Sequence, residues 1–236
     1  VGWGCGPLGA RRGGLLAYLP APSLRGAVVG VPPGLPLYES LQTRTFGPLG
    51  MVDPHCYLPA GKHGRLSVVY SASDDGLAPA PDPGGMVGQG AYVRGPRKSY
   101  SGGAGLLSTA QDYARFLQMT LNGGELDGVR ILSRKSIELM TVNHVGDLLD
   151  AVAPGTGFGL GFQVVDDIGG RGPLGSVGEY GWGGAYHSTY WVDPAEEVVV
   201  VYFAQLIPAN GLDDHAKLRA LIYQAIIDDG GLNRRP

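Results

Sequence analysis

The chain has 236 residues, 44% of them apolar and 17% charged, with a formal net charge of −3. That length can bury a sizeable core, and the balance excludes a disordered chain. The small negative charge leaves no electrostatic case for nucleic acid or an anionic membrane, and no apolar run approaches the roughly 18 residues of a membrane span.

Gly (41) and Pro (18) are abundant, which predicts many turns and long irregular connections. Residues 1–36 are rich in Gly, Pro and Arg, without a sustained helical or strand period. Pro20, Pro22, Pro32 and Pro33 interrupt any regular element there. From Leu37 the pattern changes. Leu37, Tyr38, Leu41 and Thr45 fall at helical spacing, and Phe46-Gly47-Pro48-Leu49-Gly50-Met51 closes that helix. Residues 74–100 read as a long connection of turn chemistry.

Ser108-Thr109-Ala110-Gln111 reads as a capping box with Ser108 as the cap. The helix after it places Tyr113, Phe116, Leu117, Thr120 and Leu121 on one face and stops at Asn122-Gly123-Gly124. A hairpin around Asp127-Gly128 follows, then a second helix capped by Ser133 and carrying Ile137 and Met140. Phe158, Leu160, Phe162 and Val164 alternate as one strand. Ala185–Val192 and Glu197–Ala204 are two more, joined at Asp193-Pro194-Ala195-Glu196, with the second expected at the centre of the sheet. Asp213-Asp214 opens a last helix whose Leu218, Leu221, Ile222, Ala225 and Ile226 form an apolar stripe. The expected fold is α+β: an antiparallel sheet with the C-terminal helix packed on it, plus part of a helical region over 37–150.

Cys5 and Cys56 are too few for a disulfide framework and make no metal pattern, which fits a reducing compartment. The start, Val1-Gly2-Trp3-Gly4, lacks the shape of a signal peptide. A cytoplasmic location is the expectation, with any targeting segment upstream of Val1 left open. His55, His63, His144, His187 and His215 show no metal spacing in the sequence, so neither metal nor cofactor is expected. There is no Gly-x-Ser-x-Gly elbow, and Gly61-Lys62-His63 lacks the rest of a phosphate loop.

Four stretches together resemble the serine β-lactamase-like superfamily, in its class C and esterase branch. They are Phe46–Met51; Gly102-Gly103-Ala104-Gly105-Leu106-Leu107-Ser108-Thr109; Phe158-Gly159-Leu160-Gly161-Phe162; and Gly181-Trp182-Gly183-Gly184-Ala185 followed by Tyr190-Trp191-Val192-Asp193-Pro194. The resemblance covers about Leu37 to Ile227. It implies a domain division with 1–36 outside the family pattern and 37–236 as the C-terminal portion of the hydrolase domain.

That family uses a Ser-x-x-Lys pair, whose spacing sets hydroxyl and amine on one helix face. It also uses a Tyr-x-Asn or Ser-x-Asn relay, and a Lys-Thr-Gly strand that becomes Trp-Gly-Gly in esterases. Lys62, Lys98, Lys135 and Lys217 are preceded at three residues by Pro59, Gly95, Leu132 and Asp214, so the first element is absent. No Tyr precedes an Asn by two residues. Trp182-Gly183-Gly184 matches the third element, and the resemblance implies an oxyanion donor at the Ala185 amide. The plainer alternative is a Gly-rich bulge before a strand.

Tyr186 and His187 are candidates to line an acyl pocket, although a His-Ser pair more often marks the polar face of a strand. Trp191 is expected in the core. Residues 1–36 stand where the Tyr element belongs, which fits either a shifted reading frame or an ordinary divergent arm. The implied activity is ester or amide hydrolysis with the nucleophile-bearing half missing; the alternative is a non-catalytic binding or assembly module. Without the nucleophile's helix, the chain should expose apolar surface, self-associate or be completed by a second chain.

Overall fold

A computed structural model describes residues 34–73, 76–82, 100, 105–209 and 211–227. Most of segment 1–36 and of connection 74–100 therefore lies outside the described residues. Helix α1, Leu37–Leu41, runs on as a π-helical turn over Gln42–Phe46. Phe46, Leu49 and Met51 then bury against Met119, so the Gly-Pro-rich end of this helix is a core element. Strands β1, Tyr70–Ser73, and β2, Gly76–Pro79, pair antiparallel. The second lies inside the stretch expected as a connection, with Asp74-Asp75 between the two.

Helix α2, Ala110–Leu121, carries the expected apolar face, but its cap is Thr109 rather than Ser108. The Thr109 hydroxyl accepts from the Asp112 amide at 3.2 Å, while Ser108 Oγ donates to the Thr109 carbonyl. Asp112 is free to reach elsewhere and accepts from the Asp53 amide at 2.7 Å, tying the helix start to the segment after Met51. Strands β3, Glu125–Leu126, and β4, Val129–Arg130, form the expected hairpin. Asp127 (φ 51°) and Gly128 (φ 78°) take the left-handed conformations a two-residue turn requires. Helix α3, Arg134–Met140, is capped by Ser133, as the sequence indicates.

The main sheet has five antiparallel strands: β5 Thr156–Phe158, β6 Gln163–Val165, β7 Tyr180–Gly183, β8 Thr189–Asp193 and β9 Val198–Tyr202, in that order. Two expectations change here. The alternation from Phe158 to Val164 is a hairpin rather than one strand: Leu160 is 50% exposed at its tip, while Phe162 is buried. The glycines make the reversal. Gly161 has φ 102°, and a Cβ on Gly159 would stand 2.1 Å from the Met140 carbonyl. The Val-rich strand β9 is an edge rather than the centre, pairing only with β8 among the described residues.

One sheet face meets α2, where Leu117 packs with Phe162, Val164, Tyr180 and Val192. Helix α4, Ile168–Arg171, lies between β6 and β7 in sequence. The other face meets the C-terminal helix α5, Asp214–Tyr223, whose Arg219 guanidinium sits 4.1 Å from the centre of the Trp191 ring. Trp191 is buried, as expected. The apolar stripe of α5 is not what holds it. Leu221 is 60% exposed, and α5 buries no residue. Its anchors are polar: Arg219 and Tyr223 both bond the carboxylate of Glu179.

Candidate functional site

The Trp-Gly-Gly stretch lies on β7 and the turn that joins it to β8. Three sets of contacts fix that turn. At the start of the strand, the buried Glu179 carboxylate accepts from Arg171 at 2.8 Å, from Arg219 at 2.7 and 2.9 Å, and from Tyr223 at 2.9 Å. Along the strand, the buried Tyr180 hydroxyl donates to Thr120 Oγ1 at 2.9 Å, and burial pushes its pKa up to about 12. The Trp182 ring meets Phe158 edge-on, with centroids 4.9 Å apart. Within the turn, the Gly184 amide donates to the Ser188 carbonyl at 2.8 Å, and the His187 amide to the Gly184 carbonyl at 3.1 Å.

The glycines differ in what requires them. A Cβ on Gly181 would stand 2.3 Å from the Tyr190 carbonyl, so neighbouring backbone forces that glycine. On Gly183 the nearest atom would be the Ser188 carbonyl at 3.3 Å, and on Gly184 the Ser188 Cβ at 3.8 Å. Packing therefore constrains Gly183 mildly and Gly184 hardly at all. Both are exposed, as is Ala185. The Ala185 amide has no hydrogen-bond partner among the described residues.

The two candidate pocket residues are placed differently. Tyr186 packs on the buried group of Val69, Ala80 and Ile207, and its carbonyl accepts from the Leu206 amide at 3.2 Å. His187 stands at φ 66°, a left-handed conformation rare for a residue with a side chain. Its Nε2 lies 2.8 and 3.0 Å from the two Asp214 oxygens, and its ring stacks on His215 at 4.0 Å. His215 Nε2 donates to the His187 carbonyl at 3.1 Å, and Tyr202 donates to Asp214 at 2.9 Å. Burial opposes ionisation of Asp214, but these hydrogen bonds from His187 and Tyr202 hold its carboxyl below the ordinary value. Sequence spacing gives no sign of this cluster, because its members come from a turn, a strand and a helix.

A second cluster, also silent in the sequence, joins Tyr38, His55, Lys62 and Asp53. The Lys62 ammonium can only donate, so His55 Nε2, 3.0 Å away, accepts. His55 Nδ1 therefore carries the proton and donates to the Tyr38 oxygen at 2.7 Å, and Tyr38 donates on to the Pro54 carbonyl at 3.2 Å. The chain of donors ends on backbone, so it fixes the loop rather than passing a proton. Arg65 and Lys62 hold the Asp53 carboxyl well below the usual carboxylate range, and burial, aided by Lys62, pushes the His55 imidazole down.

Comparison with known proteins shows what the chain is similar to. Residues 21–224 match the Beta-lactamase family, starting inside segment 1–36. Protein Rv1367c of Mycobacterium tuberculosis is 32% identical over 223 residues, covering 88% of this chain and 53% of that protein. Esterase EstB of Burkholderia gladioli is 30% identical over 205 residues, covering 80% of this chain and 49% of that one. The structure of EstCE1, a hydrolase with promiscuous acyltransferase activity, superposes with a TM-score of 0.68 at 26% identity, over 82% of this chain and 52% of its own. Simvastatin synthase LovD of Aspergillus terreus, as its LovD6 mutant, shares the fold at a TM-score of 0.72 and 23% identity, over 86% and 53%. The chain spans about half the length of the relatives it matches. No described helix is long and apolar enough to cross a membrane.

Proposed function

The chain belongs to the β-lactamase family, and on that premise we propose that it is the C-terminal portion of a serine hydrolase acting on carboxylic esters. The nucleophile-bearing half is supplied upstream or by a second chain. The observation that carries this reading is the turn after β7. It ends a strand with an exposed amide at Ala185 that no neighbour uses among the described residues, beside a Gly184 whose added Cβ would meet only the Ser188 Cβ and carbonyl at 3.8 and 4.0 Å. A fold gains nothing from such a glycine, whereas a substrate laid along the strand needs the space. The Ala185 amide then serves as one of two donors to the oxyanion, the other being the amide of the absent serine. One such donor is worth about 3–4 kcal/mol in the transition state.

Tyr186 and His187 frame the acyl pocket beyond Gly184. An ester is favoured over a β-lactam because Trp182 stands where a Lys would hold the lactam carboxylate, and because one relative is named an esterase. The exposed Leu221 side of α5 and the outer edge of β9, unpaired among the described residues, are where the missing half docks.

The whole 236-residue sequence lacks Ser-x-x-Lys and Tyr-x-Asn, which favours one competing reading, a remnant without catalysis. A serine-directed fluorophosphonate read by intact mass, with p-nitrophenyl butyrate turnover alongside, separates the two. The chain alone should take no label and turn over no ester. Co-produced with an upstream polypeptide carrying Ser-x-x-Lys, it should restore turnover, with the label on that polypeptide. A folded but inactive complex would leave the remnant standing, and labelling of the isolated chain would refute the assignment of the nucleophile to the missing half.

A further inference from the structure

His187, Asp214 and His215 offer two imidazoles and a carboxylate from separate elements, with one ligand atom of each within 4.8 Å of the others. We propose that these three residues bind a single divalent transition-metal ion of the zinc class, which clamps the turn after β7 to the first turn of α5. The inference stands apart from the ester reading. A donor set of two His and one carboxylate suits Zn²⁺, which binds His N and carboxylate O at roughly 2.0–2.2 Å and leaves a fourth position for water.

The existing hydrogen bonds prepare the ligands. A carbonyl only accepts, so His215 Nε2 carries the proton it gives to His187, and Nδ1 of the neutral ring keeps a free lone pair. His187 Nε2 already lies 2.8 Å from the nearer Asp214 oxygen. The ion takes the place of the proton those two atoms share, and the imidazole proton moves to Nδ1. His215 completes the set by turning out of its stack on His187, giving up its bond to the His187 carbonyl for the bond to the ion. Tyr202, donating to Asp214 at 2.9 Å, orients the carboxylate from behind, as outer partners of metal sites do. The His187 side chain is 13% exposed and that of Asp214 35%, so an ion and its water can reach the site. The left-handed backbone of His187 is strained for a residue with a side chain, and an ion holding its ring against α5 is a reason for the chain to keep it.

The test is a Zn²⁺ titration of the untagged, metal-stripped full chain against a chromophoric chelator. Binding should saturate at one equivalent. It should weaken at least about tenfold in His187→Gln, Asp214→Asn and His215→Gln, and stay unchanged in His144→Gln and in Cys5→Ser with Cys56→Ser. Far-ultraviolet dichroism in EDTA shows whether each variant folds. For any that does not, the wild-type imidazole ¹⁵N spectrum decides: Zn²⁺ should shift the signals of His187 and His215 alone. No saturable binding at millimolar Zn²⁺, wild-type affinity in the three variants, or shifts at His55, His63 or His144 instead would each overturn the proposal.

Discussion

Arg219 is the residue through which α5 holds the start of β7, and its replacement by Met tests that assignment. The substitution keeps most of the side-chain volume and removes two charge-assisted bonds to Glu179, one bond to the Leu174 carbonyl, and the cation over Trp191. Two such bonds at about 1.5–3 kcal/mol each suggest a loss of roughly 3–6 kcal/mol. Breaking a buried pair typically costs about 3–5 kcal/mol. The Glu179 carboxylate stays paired with Arg171 and bonded by Tyr223, which places the expected loss at the low end, about 3 kcal/mol. In a chain of this length that lowers Tm by roughly 6–12 °C.

Arg219→Lys keeps a charge near the carboxylate but cannot make the fork, so it should lose about half as much. Urea unfolding gives the free energies, and a cycle with Glu179→Gln isolates the pair. A strong coupling is expected, since each partner alone leaves the other's charge poorly compensated. If Arg219→Met unfolds within about 0.5 kcal/mol of wild type, the level of an ordinary surface change, or if the two changes simply add, α5 is held by something other than this network.

The two glycines of β7 should part company. Gly181→Ala drives a methyl group into the Tyr190 carbonyl and should yield insoluble or strongly destabilised protein, whereas Gly184→Ala should unfold within about 0.5 kcal/mol of wild type. Soluble-fraction yield and urea midpoints measure both. Tyr180→Phe removes the donor to Thr120 Oγ1, which keeps its own bond to the Leu117 carbonyl, and should cost about 1 kcal/mol by the same unfolding assay. The ordinary phenol pKa is 10.0 and that of Tyr180 is about 12, so the folded chain holds a proton that the unfolded chain has lost. Stability should therefore fall as pH rises through that interval, by at most about 1.4 kcal/mol per pH unit for this group, and Tyr180→Phe should flatten the fall. His55 has the opposite sign. Its folded pKa is lowered, so the unfolded chain binds the extra proton first. Stability should drop as pH falls below the ordinary imidazole value of 6.5, and His55→Gln should reduce that drop in urea midpoints measured at pH 7 and pH 5.

What the sequence made legible was local. Helix α2 and the Asp127-Gly128 hairpin follow from short-range patterns that tertiary structure leaves alone: a 3.6-residue apolar period, a hydroxyl at the cap, and residues that tolerate positive φ. The errors have the same origin. Ser108 and Thr109 are adjacent hydroxyls, and choosing the wrong one moves the cap by a single residue. The alternation through Phe158, Leu160, Phe162 and Val164 persists across a reversal because the turn glycines occupy the positions that polar residues would fill in a strand. Strand β9 reads as central because it is apolar. Apolarity reports the faces a strand buries, not whether a neighbour pairs with its outer edge, and among the described residues β9 pairs only with β8.

The candidate site divides along the same line. Trp182, Gly183, Gly184 and Ala185 stand out in the sequence as a local motif of adjacent residues, although packing demands little of Gly183 and less of Gly184. The cluster that holds the adjoining turn cannot. His187 is a lone histidine in one turn, Asp214 and His215 open a helix beyond the next two strands, and only folding the sheet against α5 brings them to hydrogen-bond distance. The two kinds of residue also answer to different forces. Gly184 and Ala185 are left open by packing, while His187, Asp214, Tyr202 and Glu179 are fixed by bonds to one another and to α5. An open amide is useful to a reaction only if it does not move. The polar network around the turn, with Tyr186 packed on Val69, Ala80 and Ile207, supplies that rigidity.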